Sequence, residues 1–516
     1  MNCAIPIAIQ TAYKISKSKM TGTQMQKLYR KLRTIDDVKD FFVSLSGTFV
    51  GIGITAYSRI IPSFLLHPYY IVTLRKTLDL PMLRKKADIF CLEEELGEPV
   101  WENGFNAARL VAHPLIKKFL INLHGPKYLL PYQSYPELET MARNEGWFRL
   151  ANPAAIRNRV NGRRFFLEMT KELRLNNIPY NISPIDSLYS RDYDYWAKKT
   201  GPKFVAQLSE IGQGGGRGTF FIKNKVDYQR LQHRLRGGTW RGIKLISFTI
   251  RKHMQGTSAS LALCLTRHGI LFSDLQRQLI DLPYCADVPE DGIFCGHSWG
   301  NTPWSSHIKD EAIQQARRIG EYLFGLGYKG ILGIDLLIDE EKNRVYPLEC
   351  NPRLVGALPM LSQLHLQSHT IPMEVFHILE FLNLPYHIDI QEINSQYNEP
   401  IKGSHVILFA LSGRRSSTKQ GMKAGLYECD PDGERLSYVK EAMDYEEIRN
   451  ERQFIIIDGP PDTSVKDFGS QDPLYRLCRI LFSYPVVDNV GNFSRNAMQV
   501  IERVYDKIMG KNWRHD

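Results

Sequence analysis

Four polar side chains with the chemistry of a metal and phosphate site stand close together in the chain. Asp335 lies on one predicted strand, and Glu349, Asn351 and Arg353 occupy alternate positions of the stretch that follows. Side chains at alternate positions of a strand share one face. Carboxylate and amide oxygens are ligands that Mg²⁺ prefers, and an adjacent arginine suits a phosphate or a developing anion. The spacing therefore predicts a Mg²⁺ site with an anion-binding arginine beside it.

A β-hairpin must position these groups, because a strand rich in Ile and Leu is joined by a polar turn to a returning strand. With Ile338 opposite Arg344, Asp335 falls opposite Pro347 and one diagonal step from Glu349. Diagonal neighbours lie roughly 7–8 Å apart, within reach of a shared ion. This register keeps Asp335 on the face of Glu349, whereas a slip of one residue would move it to the other face.

A second chemical signal is the glycine-rich stretch 211–224, with sequence IGQGGGRGTFFIKN. It lies between predicted strands at 203–208 and 219–222, and its glycines let backbone N–H groups approach an anion closely. It lacks the Lys-Ser/Thr pair and the following helix of a Walker loop. The stretch predicts either a hairpin that folds over phosphates or a flexible surface hairpin.

Length and composition indicate a soluble protein of several domains. The chain has 516 residues, 43% hydrophobic and 23% charged, with a formal net charge of +11. The basic excess permits anionic partners, but no arginine-aromatic motif predicts specific nucleic-acid binding. Eight cysteines without C-x-x-C spacing favour a reducing cytoplasm. The uncharged stretch 41–58 favours a buried strand, turn and helix rather than a membrane span.

The order of elements divides the chain further. Residues 1–40 form a basic lead-in, and 41–150 mix short apolar runs with helical stretches typical of a small α/β domain. One helix is predicted over 154–173, and another over 310–326. Residues 400–516 are predicted to form a separate tail with its own strands and a closing helix.

The order of these elements resembles the ATP-grasp superfamily. It runs through a helix, a strand, a glycine-rich hairpin, two further strands, a helix and a hairpin that ends in E-x-N-x-R. The resemblance covers about residues 150–385 and is strongest to its carboxylate–amine ligase and biotin carboxylase-like branches. It implies a mixed α+β and α/β fold in which two α+β subdomains grip ATP. The implied domains are an N-terminal α/β pre-ATP-grasp domain (41–150), an ATP-grasp domain (151–385) and a C-terminal α+β capping domain (400–516). Within the ATP-grasp domain, the nucleotide lid spans 151–255 and the catalytic subdomain spans 256–385.

The resemblance also implies roles for individual residues. Asp335, Glu349 and Asn351 match the metal ligands, and Arg353 matches the arginine that steadies the reacting acyl phosphate, so that Glu349, Asn351 and Arg353 form the catalytic set. The residues that match nucleotide-binding positions are Arg159, Gln207, Gly214, Gly215, Gly216, Arg217, Gly218, Ser247 and Ile250. Two of these depart from the family pattern, since Arg159 and Gln207 stand near places where lysines are usual. The strand 244–250 matches the strand whose backbone reads adenine.

The activity that this resemblance implies is ATP-dependent ligation. A carboxylate is activated as an acyl phosphate and joined to an amine, with ADP and phosphate released. The expected cofactors are ATP and two Mg²⁺ ions, with Mn²⁺ as a substitute, and the expected substrates are a small carboxylate and an amine such as an amino acid or peptide. The alternatives are carboxylation or kinase-type phosphoryl transfer on the same fold, and a non-catalytic nucleotide-binding scaffold.

Overall fold

The computed structural model describes residues 31–100, 105–210, 216–285, 291–300, 304–410, 422–462 and 475–509. Residues 31–150 form an N-terminal unit around a parallel sheet of five strands, in the order β3-β2-β1-β4-β5. Its strands are β1 Thr48–Gly53, β2 Tyr69–Thr73, β3 Asp88–Cys91, β4 Lys127–Pro131 and β5 Phe148–Arg149. Its helices are α1 Ile35–Val43, α2 Leu80–Leu83, α3 Leu92–Leu96, α4 Ala107–Ala112, α5 Pro114–Asn122 and α6 Pro136–Asn144, with 3-10 turns at Tyr57–Arg59 and Ile61–Phe64.

The central strand β1 is buried along its whole length because helices cover both faces of the sheet. Val50 and Ile52 pack on one side with α4 and α5, and Phe49 packs on the other. The strand order reverses between β1 and β4, and this is the position where open α/β sheets form a ligand crevice beyond the carboxyl ends of their strands.

A small antiparallel sheet follows, in the order β6-β11-β7-β8. The predicted helix over 154–173 is divided in two, because Gly162 has extended backbone angles (φ −68°, ψ 124°). The helices of this unit are α7 Ala154–Asn161, α8 Arg163–Glu172, α9 Ser187–Ser190, α10 Tyr193–Thr200 and α11 Lys225–Arg234. Its strands are β6 Tyr180–Pro184, β7 Phe204–Leu208, β8 Thr219–Ile222, β9 Thr239–Trp240, β10 Ile243–Lys244 and β11 Ser247–Lys252.

The rest of the described chain builds one sheet of 11 strands. Its strands are β12 Thr257–Thr266, β13 Gly269–Phe272, β14 Gln276–Ile280, β15 Phe294–Trp299, β16 Gly330–Asp339, β17 Arg344–Asn351, β18 Gly403–Phe409, β19 Gly425–Cys429, β20 Leu436–Lys440, β21 Gln453–Ile457 and β22 Arg476–Phe482. The helices are α12 Ser306–Gly325, α13 Leu358–Gln367, α14 Met373–Leu382, α15 Ile390–Tyr397 and α16 Arg495–Met509, with 3-10 turns at Pro283–Cys285 and Tyr445–Glu447.

The tail is not separate from this sheet, because β18 pairs with β15 and carries β19–β22 onto the same sheet. On one face of the sheet, Ile334 and Leu336 pack with α12. On the other face, Ala262 and Ile331 pack with α13, α14 and the N-terminal unit. None of the described helices has the length and apolar character needed to cross a membrane.

Candidate active site

The two predicted metal-site carboxylates face each other on adjacent strands. Asp335 of β16 pairs directly with Glu349 of β17. The predicted register is wrong, because Ile338 pairs with Val345 rather than Arg344, a slip of one residue that puts Leu336 opposite Pro347. A β-bulge after Asp335 shifts the pairing by one residue more and brings Asp335 opposite Glu349. The two carboxylates still share one face of the sheet, and they lie closer together than a diagonal pair would.

Hydrogen bonds tie this carboxylate pair to the other predicted residues. The Asn351 amide nitrogen lies 3.0 Å from Asp335 Oδ2 and 3.4 Å from Glu349 Oε1, and it donates to both. Arg353 Nη2 donates to Asn351 Oδ1 at 2.9 Å. Gln278 Nε2 donates to the other oxygen of Asp335 at 3.0 Å. Burial and the negative charge of Glu349 raise the pKa of Asp335 well above its usual range.

These residues fit a divalent cation. Two half-buried carboxylates side by side repel each other unless a proton or a cation lies between them. In this structure the amide nitrogen of Asn351 supplies the positive end of a dipole at that point, and a half-turn of the amide would present Oδ1 instead. The donor set is two carboxylates and an amide. Within the described residues, no group of three His, Cys, Asp or Glu side chains forms a further candidate.

Two arginines that the sequence did not single out lie beside Glu349. Arg163, at the start of α8, and Arg251, on β11, both feel the negative charge of Glu349. Arg251 is only 6% exposed, and its Nε and Nη2 have no hydrogen-bond partner. Burial and the nearby charge of Arg163 lower the pKa of Arg251 to about 9. Neither arginine has a carboxylate partner among the described residues, so this pair of cations is suited to an anionic ligand.

Arg163 also replaces Arg159 as the arginine at the glycine-rich hairpin. Arg163 Nη1 donates to Gln207 Oε1, and the Gln207 amide nitrogen donates to Thr219 at 3.4 Å. The exposed Arg159 instead lies over the ring of Phe165, with its Cζ 5.1 Å from the ring centroid. Arg159 therefore does not contact Gln207 in this structure, because the break at Gly162 starts a new helix and directs Arg163 toward β7.

The glycine-rich hairpin contacts the large sheet. Gly214 and Gly215 lie outside the described residues. Gly216 and Gly218 have φ values of +83° and +78°, a region that favours glycine, and they flank the partly buried Arg217. A Cβ atom on Gly216 would lie 2.1 Å from the carbonyl oxygen of Gly292. The hairpin and the loop before β15 therefore meet backbone to backbone.

A carboxylate fastens this contact. Asp291 accepts a hydrogen bond from the Phe221 amide at 2.7 Å, and its own amide donates to the Thr219 carbonyl at 2.9 Å. Burial raises the pKa of Asp291. These bonds hold β8 of the small sheet against the loop before β15, on the side of the site that carries Gln207 and Arg163.

The adenine-reading role of Ser247 and Ile250 stays a prediction, and the structure shows how their strand is placed. Both lie on β11, which pairs with β6 on one side and β7 on the other. Ile250 is buried in the core of the small sheet, and the amide of Ser247 donates to Glu210 at 3.1 Å. A strand between two partners uses its backbone groups within the sheet, so the backbone of β11 hydrogen-bonds to β6 and β7.

A row of buried polar side chains crosses the large sheet away from Asp335. Ser260 faces Asp335 across β12 and β16, and His297 Nε2 lies 3.2 Å from its hydroxyl. His297 Nδ1 lies 3.0 Å from His405 Nε2, and His405 Nδ1 lies 3.0 Å from Arg479 Nη1. Because arginine can only donate, His405 Nδ1 accepts from Arg479. His405 Nε2 then donates to His297 Nδ1, and His297 Nε2 donates to the hydroxyl of Ser260. Burial lowers the pKa of His297 to about 3, which keeps it neutral as this pattern requires.

The site thus lies between two sheets that grip it, with hard oxygen ligands on one side and unpaired arginines on the other. This arrangement is suited to a phosphate-bearing ligand bound together with a divalent cation. Residues 211–357 match the family model of the ATP-grasp domain, so this part of the chain is assigned to that domain family. No curated protein sequence gave a match to the chain.

Solved structures share the whole fold at low sequence identity. The Campylobacter jejuni biotin carboxylase, solved as a β,γ-ATP complex, superposes with a TM-score of 0.55 at 11% identity, over 89% of this chain and 91% of that one. The biotin carboxylase domain of Hydrogenobacter thermophilus 2-oxoglutarate carboxylase, solved with MgADP, ADP and bicarbonate, gives 0.53 at 12% over 85% and 86%. The Aspergillus clavatus N5-carboxyaminoimidazole synthase, solved with ADP and 5-aminoimidazole ribonucleotide, gives 0.52 at 10% over 88% and 97%. These similarities show that the chain has the ATP-grasp fold.

Proposed function

We propose that this protein is an ATP-dependent, ADP-forming ligase that activates a carboxylate as an acyl phosphate and joins it to an amine. The observation that carries the proposal is the facing pair Asp335 and Glu349, bound to Asn351 and opposed by two arginines without carboxylate partners. A non-catalytic nucleotide scaffold would have no need to hold two mutually repelling carboxylates face to face beside an arginine already oriented by Asn351.

The residues that would hold Mg²⁺ are Asp335, Glu349 and Asn351. Mg²⁺ bound there would neutralise negative charge on the ATP phosphates, and Mn²⁺ would be able to replace it. We propose that two ions bind. A titration of the chelator-treated protein with Mg²⁺ in the presence of ADP would count them. Residues 151–255 would act as the lid and 256–385 as the catalytic subdomain.

Other side chains would bind and orient the reactants. Arg163 and Arg251 present N–H donors to the phosphates, and the closed hairpin at Gly216 excludes water from them. A carboxylate oxygen of the substrate bonds to the γ-phosphorus of ATP while the bond from that phosphorus to ADP breaks. The amine nitrogen then bonds to the acyl carbon, phosphate leaves with the former carboxylate oxygen, and the amine loses a proton. Arg353 lies where it can stabilise the oxyanion of that step, because Asn351 orients its guanidinium.

The substrates we propose are a small carboxylate and an amine, with an amino acid or a peptide as the amine component. The described cysteines are all buried free thiols, and this supports action in a reducing cytoplasm. A screen for ADP release against pools of amino acids, peptides and small carboxylates would identify the pair. A ligase should release ADP only when carboxylate and amine are both present. Release with bicarbonate alone would indicate carboxylation, and a stable phosphorylated product would indicate kinase-type transfer.

The metal site is tested by Glu349→Gln, with Glu341→Gln as the control. Both glutamates belong to the same hairpin, but Glu341 lies exposed in the turn. We expect Glu349→Gln to lower Mg²⁺-dependent turnover at least 100-fold, and Glu341→Gln to retain it within twofold, with similar thermal unfolding of both. Asn351→Ala should behave as Glu349→Gln does. Normal turnover in either site variant would overturn the assignment.

A further inference from the structure

The crevice at the switch point of the parallel sheet carries an unexplained positive charge. Tyr132 follows β4, and the turn Tyr57–Arg59 follows β1, so both lie beyond the carboxyl ends of the two strands between which the order reverses. Ligands bind at such crevices in open α/β sheets. The side chains gathered there come from the N-terminal unit, from the end of β17 and from the tail.

Arg59 is built into the floor of this crevice. It is 5% exposed, its Nε has no hydrogen-bond partner, and it has no carboxylate partner among the described residues. Its Cζ lies 5.5 Å from the ring centroid of Tyr132. Gly51 and Gly53 make room for it, since a Cβ atom on either would lie 3.0–3.1 Å from the Arg59 side chain. A buried arginine with this little compensation is costly unless a ligand supplies an anion.

Arg353 approaches the same tyrosine from the metal site. Its Cζ lies 5.1 Å from the Tyr132 ring centroid, and its Nη1 donates to the Tyr132 hydroxyl. Its other terminal nitrogen donates to Asn351. Arg353 therefore links this end of the parallel sheet to the proposed site of acyl phosphate formation, and Tyr132 contacts both guanidinium groups.

The tail adds two further arginines and one carboxylate. Asp458 Oδ2 accepts from Arg476 Nη1 at 2.9 Å and from Arg479 Nε at 2.6 Å, and the two arginines hold the pKa of Asp458 below its usual range despite burial. The Arg479 side chain is 3% exposed, whereas that of Arg476 is 38% exposed and open to solvent. The negative charge of Asp458 also acts on Arg59.

The charges around Tyr132 do not balance. Four arginines are present, and the one carboxylate in contact with any of them is Asp458, as far as the described residues show. Two other buried acids lie near, but burial raises the pKa of Asp79 and of Glu374 to about 7, so each is only about half ionised at neutral pH. Arg353 also lies near the carboxylate of Asp335, so among the described residues the positive charge without a contacting carboxylate of its own is that of Arg59 and of one of the two arginines that share Asp458.

We infer that this crevice binds an anionic group of the substrate, a carboxylate or a phosphate monoester distinct from the carboxylate that reacts, through Arg59, Arg353 and Arg476. The substrate is then at least a dianion, with its second anionic group beside Tyr132 and its reacting carboxylate toward Asn351. The inference rests on the proposed function for the reacting group, while the binding of the second group can be measured without turnover.

The test is a calorimetric titration of the full chain with succinate and with glycerol 3-phosphate, alone and with saturating Mg-ADP. Dimethyl succinate and glycerol are the neutral controls. We expect at least one anion to bind and neither neutral compound to do so. Arg59→Gln and Arg476→Gln should each weaken that binding at least tenfold and change the Kd of Mg-ADP less than twofold. Arg476 is the safer variant for folding, because its side chain is partly exposed.

A matched control comes from the same part of the chain. The Arg503 side chain is 39% exposed and contacts one carboxylate, Asp506, at 3.0 Å, so Arg503→Gln should bind the anion as the unaltered protein does. Binding of succinate alone would assign a carboxylate, and binding of glycerol 3-phosphate alone would assign a phosphate. Mg-ADP binding with no anion binding, or equal anion binding by Arg476→Gln and Arg503→Gln, would overturn the inference and leave the proposed function standing. Arginine-dependent anion binding without Mg-ADP binding would support the anion site and refute the proposed function.

Discussion

The sequence predicts nucleotide binding at Arg159, whereas we propose it for Arg163, and replacing each of them is therefore informative. Arg163→Gln removes the positive charge and keeps a side chain able to donate to Gln207. Arg159→Gln is the matched control, since Arg159 lies four residues earlier and is exposed against Phe165. We expect Arg163→Gln to weaken nucleotide binding and Arg159→Gln to leave it unchanged.

The magnitude follows from the surroundings of Arg163. One of its terminal nitrogens binds Gln207, and the other donors have no carboxylate partner among the described residues. A hydrogen bond to a charged group contributes about 1.5–3 kcal/mol. At about 1.4 kcal/mol for each factor of ten, its loss should weaken binding about 10- to 150-fold. The free energy of unfolding should not fall, because the burial that lowers the pKa of Arg163 and the like charge of Arg251 both disfavour its charged form.

The assay combines a titration with Mg-ADP, which needs no knowledge of the substrate, with the dependence of ADP release on ATP concentration. Thermal unfolding of both variants shows whether each is folded. A loss of binding in Arg159→Gln with retention in Arg163→Gln would refute this assignment. A similar loss of both binding and stability in Arg163→Gln would show that the arginine is structural.

Two further variants test the lid and a buried acid. Gly216→Ala should lower turnover at least tenfold with little loss of stability, because its Cβ would lie 2.1 Å from the Gly292 carbonyl oxygen, whereas Gly242→Ala, with a similar φ of +77° and open space around it, should retain turnover. Burial raises the pKa of Asp79 from 3.8 to about 7, so the folded protein binds this proton more tightly and stability falls as pH rises from about 4 to 7. Between pH 5 and 7, the free energy of unfolding, measured with denaturant, should fall less in Asp79→Asn than in the unaltered protein, and the two falls should differ by at most about 3 kcal/mol. Equal falls in the two proteins would show that Asp79 does not titrate in this range.

Much of the carboxylate face of the site could be predicted from sequence, because its residues lie close together in the chain. Glu349, Asn351 and Arg353 alternate along one stretch, and alternation alone places them on one face. The register of Asp335 against Glu349 could not be predicted, because the β-bulge that sets it leaves no turn residue or change of period in the sequence. The resemblance to the ATP-grasp superfamily, confirmed by the family match over 211–357, came from the order of elements rather than from any single residue.

The cationic side of the site was missed for a different reason. Arg163 begins a helix and Arg251 lies on a central strand, 88 positions apart, so only the packing of the small sheet brings them to Glu349. The one local signal was Gly162, which ends α7 and starts α8. The pairing of β18 with β15 could not be predicted from sequence either, because which strands pair depends on which of them are adjacent in space.

The proposed function requires that a carboxylate attacks ATP at the site of Asp335 and Glu349. It is tested most directly by supplying the carboxylate that stimulates ADP release with both oxygens labelled as ¹⁸O. If an acyl phosphate forms, each phosphate released should carry one ¹⁸O atom from that carboxylate, and Glu349→Gln should abolish the transfer. Phosphate released without label, at the same yield of ADP, would contradict the claim.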